Sequence, residues 1–405
     1  MNDLTIDTRA DWTGQGSLTK LADTLKARAA ASRDCCVDPR QLVIGTTRAG
    51  ELTIAAAPGT QAAEFIPTDG MPIRDRAITQ LCSRLNPEVP ARFGKDLAVA
   101  RPHIAIDLFN SLIDKDDYSK NRRWLVRMLN GRIRAVLSDR YLILDDEGMI
   151  FTALDKLRQV GGFPMSCTMT EDYTRMSYCC PSLGQYIDSP SRGDGAFFNA
   201  GSMGSQVWQH RVGVSDDILK PLTDRKGNTI FPGGEIGNSE TGAGSAYVKF
   251  KTYDSICLNG CVSEVVHTIR HIGEKLDAGI WSRNTMHKNQ QLKHTMVQDA
   301  IQTTFDADRL NAWMVKRQQA STDILAPNAA IDNVADLCEL SQEDRDNLLC
   351  TFCRDYKPTR DGLSQAAARL AQDETDPNKA CGWEAHSATI IKQRSAVNRN
   401  ALAIS

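Results

Sequence analysis

Apolar residues change their spacing several times along the chain, and each change predicts an element. Leu21 and Leu25, four apart, give Thr19–Ser32 the face of a helix. Gln41–Thr46 and Glu51–Ala55 are short apolar runs about Arg48-Ala49-Gly50, the pattern of a hairpin. Pro67–Pro72 predicts a loop. Helical spacing from Arg74 to Tyr118 is interrupted by Pro87, Pro90 and Pro102, which predicts several short helices. In Arg122–Leu129, Trp124, Leu125, Met128 and Leu129 fall at i, i+1, i+4 and i+5, a helical stripe ended by Asn130-Gly131 as a left-handed cap. Arg132–Ser138 then alternates, with Ile133, Ala135 and Leu137 on one side and Arg132 and Arg134 on the other. That predicts a half-buried strand. After an extended Tyr141–Leu144, Asp145 or Asp146 caps a helix whose stripe is Met149, Ile150, Ala153, Leu154 and Leu157, closed by Gly161-Gly162.

Ser166–Thr170 and Thr174–Cys180 predict a second hairpin, Pro181–Gly204 a long loop and Asn238–Gly244 a turn. Ala246–Tyr253 alternates strongly. Val262 to about Ala320 reads as helix, Ala326-Pro327-Asn328 as a linker, and the tail to Ser405 as polar helices. There is no internal repeat. The expectation is an α+β fold with a mainly antiparallel sheet core, flanking helices and a helical C-terminal region. It divides into a polar segment 1–40, an α+β region 41–118, a core 119–320 and a helical region 321–405.

The chain has 405 residues, 41% hydrophobic and 24% charged, material for two or three packed units. Net charge is −2, so the molecule is no polycation and any anion site must come from a local patch. Met1–Asp7 lacks a basic n-region and an apolar h-region, so no secretory signal is expected. Apolar runs fall far short of the ~20 residues of a spanning helix, so no membrane is expected as partner. Twelve cysteines without a scaffold rhythm suit reduced, mostly buried thiols of a cytoplasmic protein.

Candidate chemistry concentrates in two places. Ser119–Tyr141 holds Lys120, Arg122, Arg123, Arg127, Arg132, Arg134 and Arg140 against one acid, Asp139, with Tyr118, Trp124 and Tyr141 interleaved. Guanidinium groups pair with phosphate, and aromatic rings stack on bases, the combination that grips single strands. The same arginines would also suit the end of a helix or a solvated strand face. In Ala246–Tyr253, Tyr247, Lys249, Lys251 and Tyr253 share one face, opposite Val248 and Phe250. That is either a stacking platform or an edge strand guarded by lysines.

Two metal constellations are weaker. Glu264, His267 and His271 would share a face only on a helix and do not complete a site. Cys350-x-x-Cys353 with Cys381 and His386 has a spacer unlike compact zinc fingers. Asp116-Asp117 reads as a solvated acidic pair. A phosphate loop, a zinc-protease helix and a serine elbow are all missing from the sequence.

Arg123-Trp124-Leu125-Val126-Arg127-Met128-Leu129-Asn130-Gly131-Arg132-Ile133-Arg134-Ala135-Val136-Leu137-Ser138-Asp139-Arg140-Tyr141 resembles the signature block of the phage- and plasmid-like proteins grouped under domain of unknown function 932. Gly237-Asn238-Ser239-Glu240-Thr241-Gly242 and Cys257-Leu258-Asn259-Gly260 resemble later blocks of that family. The resemblance runs from about Arg74 to Phe305, with an echo near Leu363–Asp373. It implies a mobile-element protein working beside replication or recombination, with a remote similarity to Rad52-type annealing proteins.

The expected function is therefore binding or annealing of single-stranded DNA in the host cytoplasm, without catalysis, cofactor or metal. The expected protein is a homo-oligomer contacting nucleic acid through Arg123, Arg127, Arg132, Arg134, Arg140, Tyr141, Tyr247, Lys249, Lys251 and Tyr253. The alternatives are a metal-dependent nuclease and a protein-binding module acting on host defence.

Overall fold

A computed structural model describes residues 6–7, 15–85, 91–115, 123–187, 228–254, 260–269, 271 and 283–398. In chain order the elements are β1 (Ile6–Asp7), α1 (Gln15–Ala31), β2 (Ser32–Val37), β3 (Leu42–Thr46), β4 (Leu52–Ala56), β5 (Met71–Pro72), α2 (Asp75–Leu85), α3 (Ala91–Ala100), α4 (Pro102–Lys115), β6 (Trp124–Leu129) and β7 (Arg132–Ser138). There follow α5 (Asp146–Val160), β8 (Phe163–Met169), β9 (Thr174–Cys179), β10 (Gln185–Ile187), β11 (Asn228–Asn238), β12 (Ala246–Asp254) and β13 (Gly260–Ile269). The C-terminal part is α6 (Arg283–Thr303), α7 (Ala307–Thr322), α8 (Pro327–Cys338), α9 (Gln342–Asp355), α10 (Arg360–Asp373), α11 (Pro377–Lys392) and α12 (Arg394–Val397). The chain is α+β, with antiparallel sheets and a helical C-terminal region.

A seven-stranded sheet runs β1-β8-β9-β11-β12-β13, with β10 also paired to β11. Two three-stranded sheets, β2-β6-β7 and β3-β4-β5, stand beside α2, α3 and α4. Their shared core takes Cys35, Ile54, Leu81, Phe109, Trp124 and Val136. A second core joins α1, α5 and α6 to the large sheet through Leu25, Ile150, Met176, Val248 and Ile301. A third lies within the C-terminal helices. A smaller one brings Phe250 and Ile230 of the large sheet against Trp313 of α7 and Ile391 of α11. Among the described residues no helix is long and apolar enough to cross a membrane.

Two expected loops, Pro67–Pro72 and the start of Pro181–Gly204, each hold a short paired strand, β5 and β10, and three further expectations change in kind. Residues from Trp124 to Leu129 form a strand, not a helix. β6 is the middle strand of its sheet and is covered on both faces: Trp124, Val126 and Met128 pack on one side, Leu125 on the other. A strand buried on both sides shows an unbroken apolar run, which periodicity cannot tell from a helix. Asn130 (φ 51°) and Gly131 (φ 72°) are both left-handed, so this pair makes the tight hairpin turn to β7 instead of a helix cap. A bulge opposite Arg127 then breaks the alternation of β7, whose Ile133 to Leu137 are all buried.

The second change is at β13, where Gly260–Ile269 extends the large sheet instead of starting a helix. The third is at Pro327, which opens α8 at its first turn, where a missing N–H costs nothing, so no linker stands there.

Candidate functional site

The arginines of β6 and β7 are divided between core and surface. Arg127 is 1% exposed, and its guanidinium donates to Asp34 Oδ1, Asp145 Oδ1 and the Glu240 carbonyl, each at 2.9 Å. Arg134, also buried, bonds Glu240 Oε2 at 2.5 Å. Neither can reach a phosphate, and both are withdrawn from the expected interface. The reason is the reassignment of β6 and the bulge in β7, which turn these side chains toward α5 and the β11–β12 turn. Arg132 is part-exposed and paired with Glu51. Arg123 and Arg140 are exposed, Arg123 donating to the Cys36 carbonyl. Tyr141 is half-buried: its hydroxyl donates to the Ser239 carbonyl, and its ring stacks on His271 at 4.8 Å. It offers no free face for a base. Lys120, Arg122, Tyr118 and Asp116-Asp117 lie outside the described residues.

Around Arg127 and Arg134 a charged seam joins the small sheet to the large one. Arg28 of α1 approaches Glu240 Oε2 (3.7 Å) and Asp146 Oδ2 (4.0 Å). Glu240 Oε1 accepts the backbone N–H of Asp146 at the start of α5. Asp146 in turn accepts from Asn238 Nδ2 (2.7 Å) and Thr174 Oγ1 (2.6 Å). Three guanidinium groups thus face four carboxyls: Asp34, Asp145, Asp146 and Glu240. Burial raises Glu240, but Arg134, Arg28 and Arg127 outweigh it and hold this carboxyl below its usual range. Asp146 has no cation within hydrogen-bonding distance among the described residues. Burial, reinforced by Glu240, pushes it up to about 7. The Gly237–Gly242 block thus supplies the turn that neutralises the arginines of the small sheet.

On β12 the two faces divide as the alternation predicts, but the tyrosine–lysine face is covered by α11. Lys251 is 1% exposed, and its ammonium lies 2.6 Å from both Glu235 Oε2 and Glu384 Oε2. Burial opposes its charge; Glu235 and Glu384 outweigh that and hold Lys251 well above the usual lysine range. Burial likewise raises Glu235, yet Lys251 and Lys249 hold it down to about 2. Tyr247 donates to Glu235 Oε1 at 2.7 Å, and Lys249 Nζ caps its ring at 4.3 Å. The ring also lies so close over Gly237 that a Cβ there would run into it. Tyr253 is buried, donating to the Gly234 carbonyl. Lys251, Tyr247 and Tyr253 are therefore not an open platform, and Lys249 is half-buried beside Cys381, its Nζ 3.9 Å from the thiol.

The histidine constellation does not form. Glu264 and His267 belong to a strand, and His271 follows it, buried, with Nδ1 3.0 Å from the Leu142 carbonyl. Cys350 and Cys353 are exposed on α9, whereas Cys381 and His386 lie on α11, with His386 edge-on to Trp383. Among the described residues one trio of potential ligands converges: Glu235, Cys381 and Glu384. The Lys251 ammonium already bridges its two carboxylates, so the cation this trio attracts is supplied by the chain itself.

Sequence reasoning missed Arg28, Asp34, Glu235 and Glu384. Most of their partners lie far away in sequence, and Glu235, the one charged residue of β11, was the one local signal of a buried pair. No family model, curated protein or solved structure matches the chain.

Proposed function

We propose that the protein binds single-stranded nucleic acid without catalysis, as a homo-oligomeric protein of a phage or plasmid acting in the host cytoplasm. The observation that carries this reading is the end of the small sheet where β2, β6 and β7 align Val37, Trp124 and Ser138. Arg123 directly precedes Trp124, Arg140 lies two residues after Ser138 and Arg40 three after Val37, and all three are exposed. Asp38 offsets part of this charge through its pairing with Arg40. Guanidinium groups gathered at one edge give a phosphate backbone several contacts at once, and each contact releases counterions. The resemblance of residues 123–141 to the mobile-element family supports the same reading.

A second reading, a protein-binding module, is favoured by Phe93, Val99, Ile104 and Leu108, exposed apolar side chains on α3 and α4. The deciding experiment is the salt dependence of oligonucleotide binding. Replacing Arg40, Arg123 and Arg140 by glutamine lowers the slope of log K against log salt by about 2, at ~0.7 per phosphate contact. Arg134→Gln is the control: it acts on stability and leaves the slope of the folded fraction unchanged. An unchanged slope in the folded triple variant removes this edge from the interface. Absence of binding by the unsubstituted protein removes the function.

A further inference from the structure

Cys381 stands early in α11, half-buried against the large sheet. It faces Arg175 of β9, Glu235 of β11, Tyr247, Lys249 and Lys251 of β12, and Glu384 of its own helix. Its Sγ and one carboxylate oxygen from each of Glu235 and Glu384 lie within 4.8 Å of one another. Two amines share this space and are held differently. Lys251 is buried, its ammonium tied to both carboxylates. Lys249 is 20% exposed and more loosely held, 3.8 Å from Glu235 and 4.3 Å above the Tyr247 ring. Those two contacts aim its Nζ at the Cys381 sulfur, 3.9 Å away, from a side that solvent reaches.

We infer that Lys249 and Cys381 are an oxidative cross-link site, closed by a covalent bond between Nζ and Sγ when the reduced protein meets a peroxide. Hydrogen peroxide first takes the thiol to a sulfenic acid. The O–O bond breaks, one oxygen stays on sulfur, and the other leaves as water. The sulfur loses two electrons and the peroxide gains them. Lys249 releases its ammonium proton to solvent, and the free amine attacks Sγ. The S–N bond forms, the S–O bond breaks, and hydroxide leaves as water with one amine hydrogen. The flexible lysine stem closes the gap by rotation. A second peroxide inserts one oxygen between nitrogen and sulfur and again leaves water.

Burial raises the Cys381 thiol, reinforced by Glu235 and opposed by Lys249 and Lys251. The thiolate is the reacting form, so the first step is slow at neutral pH and quickens as pH rises. The product staples β12 to α11, beside the ion pair of Lys251 with Glu384, and so pins the C-terminal helices to the large sheet. The site is independent of the nucleic-acid reading and of its arginine edge.

The test is treatment of the reduced full-length protein with hydrogen peroxide, followed by tryptic peptide mass spectrometry. The expected product joins the peptides of Lys249 and Cys381, with no cleavage after Lys249. Its mass is about 2 Da below the sum of the reduced pair, or about 14 Da above it where oxygen is inserted, and dithiothreitol releases it. Its initial rate rises about tenfold per pH unit from roughly pH 7 to 8.5. Cys381→Ser abolishes the link. Lys249→Met also abolishes it but leaves a sulfenic acid at Cys381 that dimedone captures, with circular dichroism confirming the fold. Cys36→Ser, Cys350→Ser and Cys353→Ser leave the link intact. Two results on the unsubstituted protein overturn the proposal. One is a Cys381 that stays reduced at peroxide doses that oxidise Cys36, Cys350 and Cys353. The other is a Cys381 converted to a sulfinic acid or a disulfide while the Lys249 peptide stays free.

Discussion

Lys251→Met removes one ammonium from between two carboxylates. Glu235 is 5% exposed and Glu384 19%, so Glu384 can recover water but Glu235 cannot. Breaking a buried pair from one side costs about 3–5 kcal/mol, because the remaining charge is stranded. Lys249, 3.8 Å away, and the Tyr247 hydroxyl still face Glu235, which places the loss near the lower end, about 3 kcal/mol. The pH dependence carries a sharper signature. In the native protein Glu235 is depressed from 4.5 to about 2, so its stabilisation is present above 4.5 and is lost as pH falls toward 2. Without Lys251, burial dominates and Glu235 rises above its ordinary value. Its contribution is then largest below 4.5 and is lost as pH rises. Urea denaturation between about pH 2 and 8 measures both, and Trp383, adjacent to Glu384, reports locally by fluorescence. Adding Glu235→Gln to Lys251→Met restores most of the loss, since no charge is then stranded. A single variant that loses less than about 1 kcal/mol and keeps the native pH profile would refute a charged pair at this position.

Two further outcomes follow from the same packing. Asp146 is pushed up from 3.8 to about 7, so the stabilisation from its bound proton is full below 3.8 and disappears as pH rises through about 7. Asp146→Asn flattens that decline in melting temperature, and an equally steep decline in the variant would assign it elsewhere. Gly237→Ala drives a methyl into the Tyr247 ring and costs about 1–3 kcal/mol. Combined with Tyr247→Ala it costs less than the sum of the two, and strict additivity in a denaturation cycle would show that the ring does not cover the glycine.

Elements whose two sides differ were legible in the sequence. The stripe of α5, the β3–β4 and β8–β9 hairpins and the two faces of β12 follow from local spacing, because each packs against one layer at a time. β6 was not legible, since its two buried faces erase the period. β13 was read as helix because its histidine spacing mimics a helical stripe. The candidate site was legible only as residue types. Arg127 meets Asp34 across 93 positions, and Lys251 meets Glu384 across 133. No local pattern records which carboxylate will cover which cation. An arginine in the middle of Trp124–Leu129 was itself the clue: a cation in a buried strand needs a distant acid, and surface binding was the wrong inference from it.

Glu240 also imposes an order on synthesis. Arg134 leaves the ribosome 106 residues before the carboxylate that neutralises it. At roughly 5–20 residues per second, that interval is on the order of 5–20 s. Until then Arg134 in the hairpin of β6 and β7 has no carboxylate to neutralise it, whereas Arg127 already has Asp34 and soon Asp145. The small sheet therefore stays open along that side while the strands of the large sheet emerge, and it closes only after the β11–β12 turn is made. A chain truncated before residue 240 should accumulate as a chaperone-bound species, with the inner face of β6 accessible to protease, whereas one ending just beyond β12 can seal it.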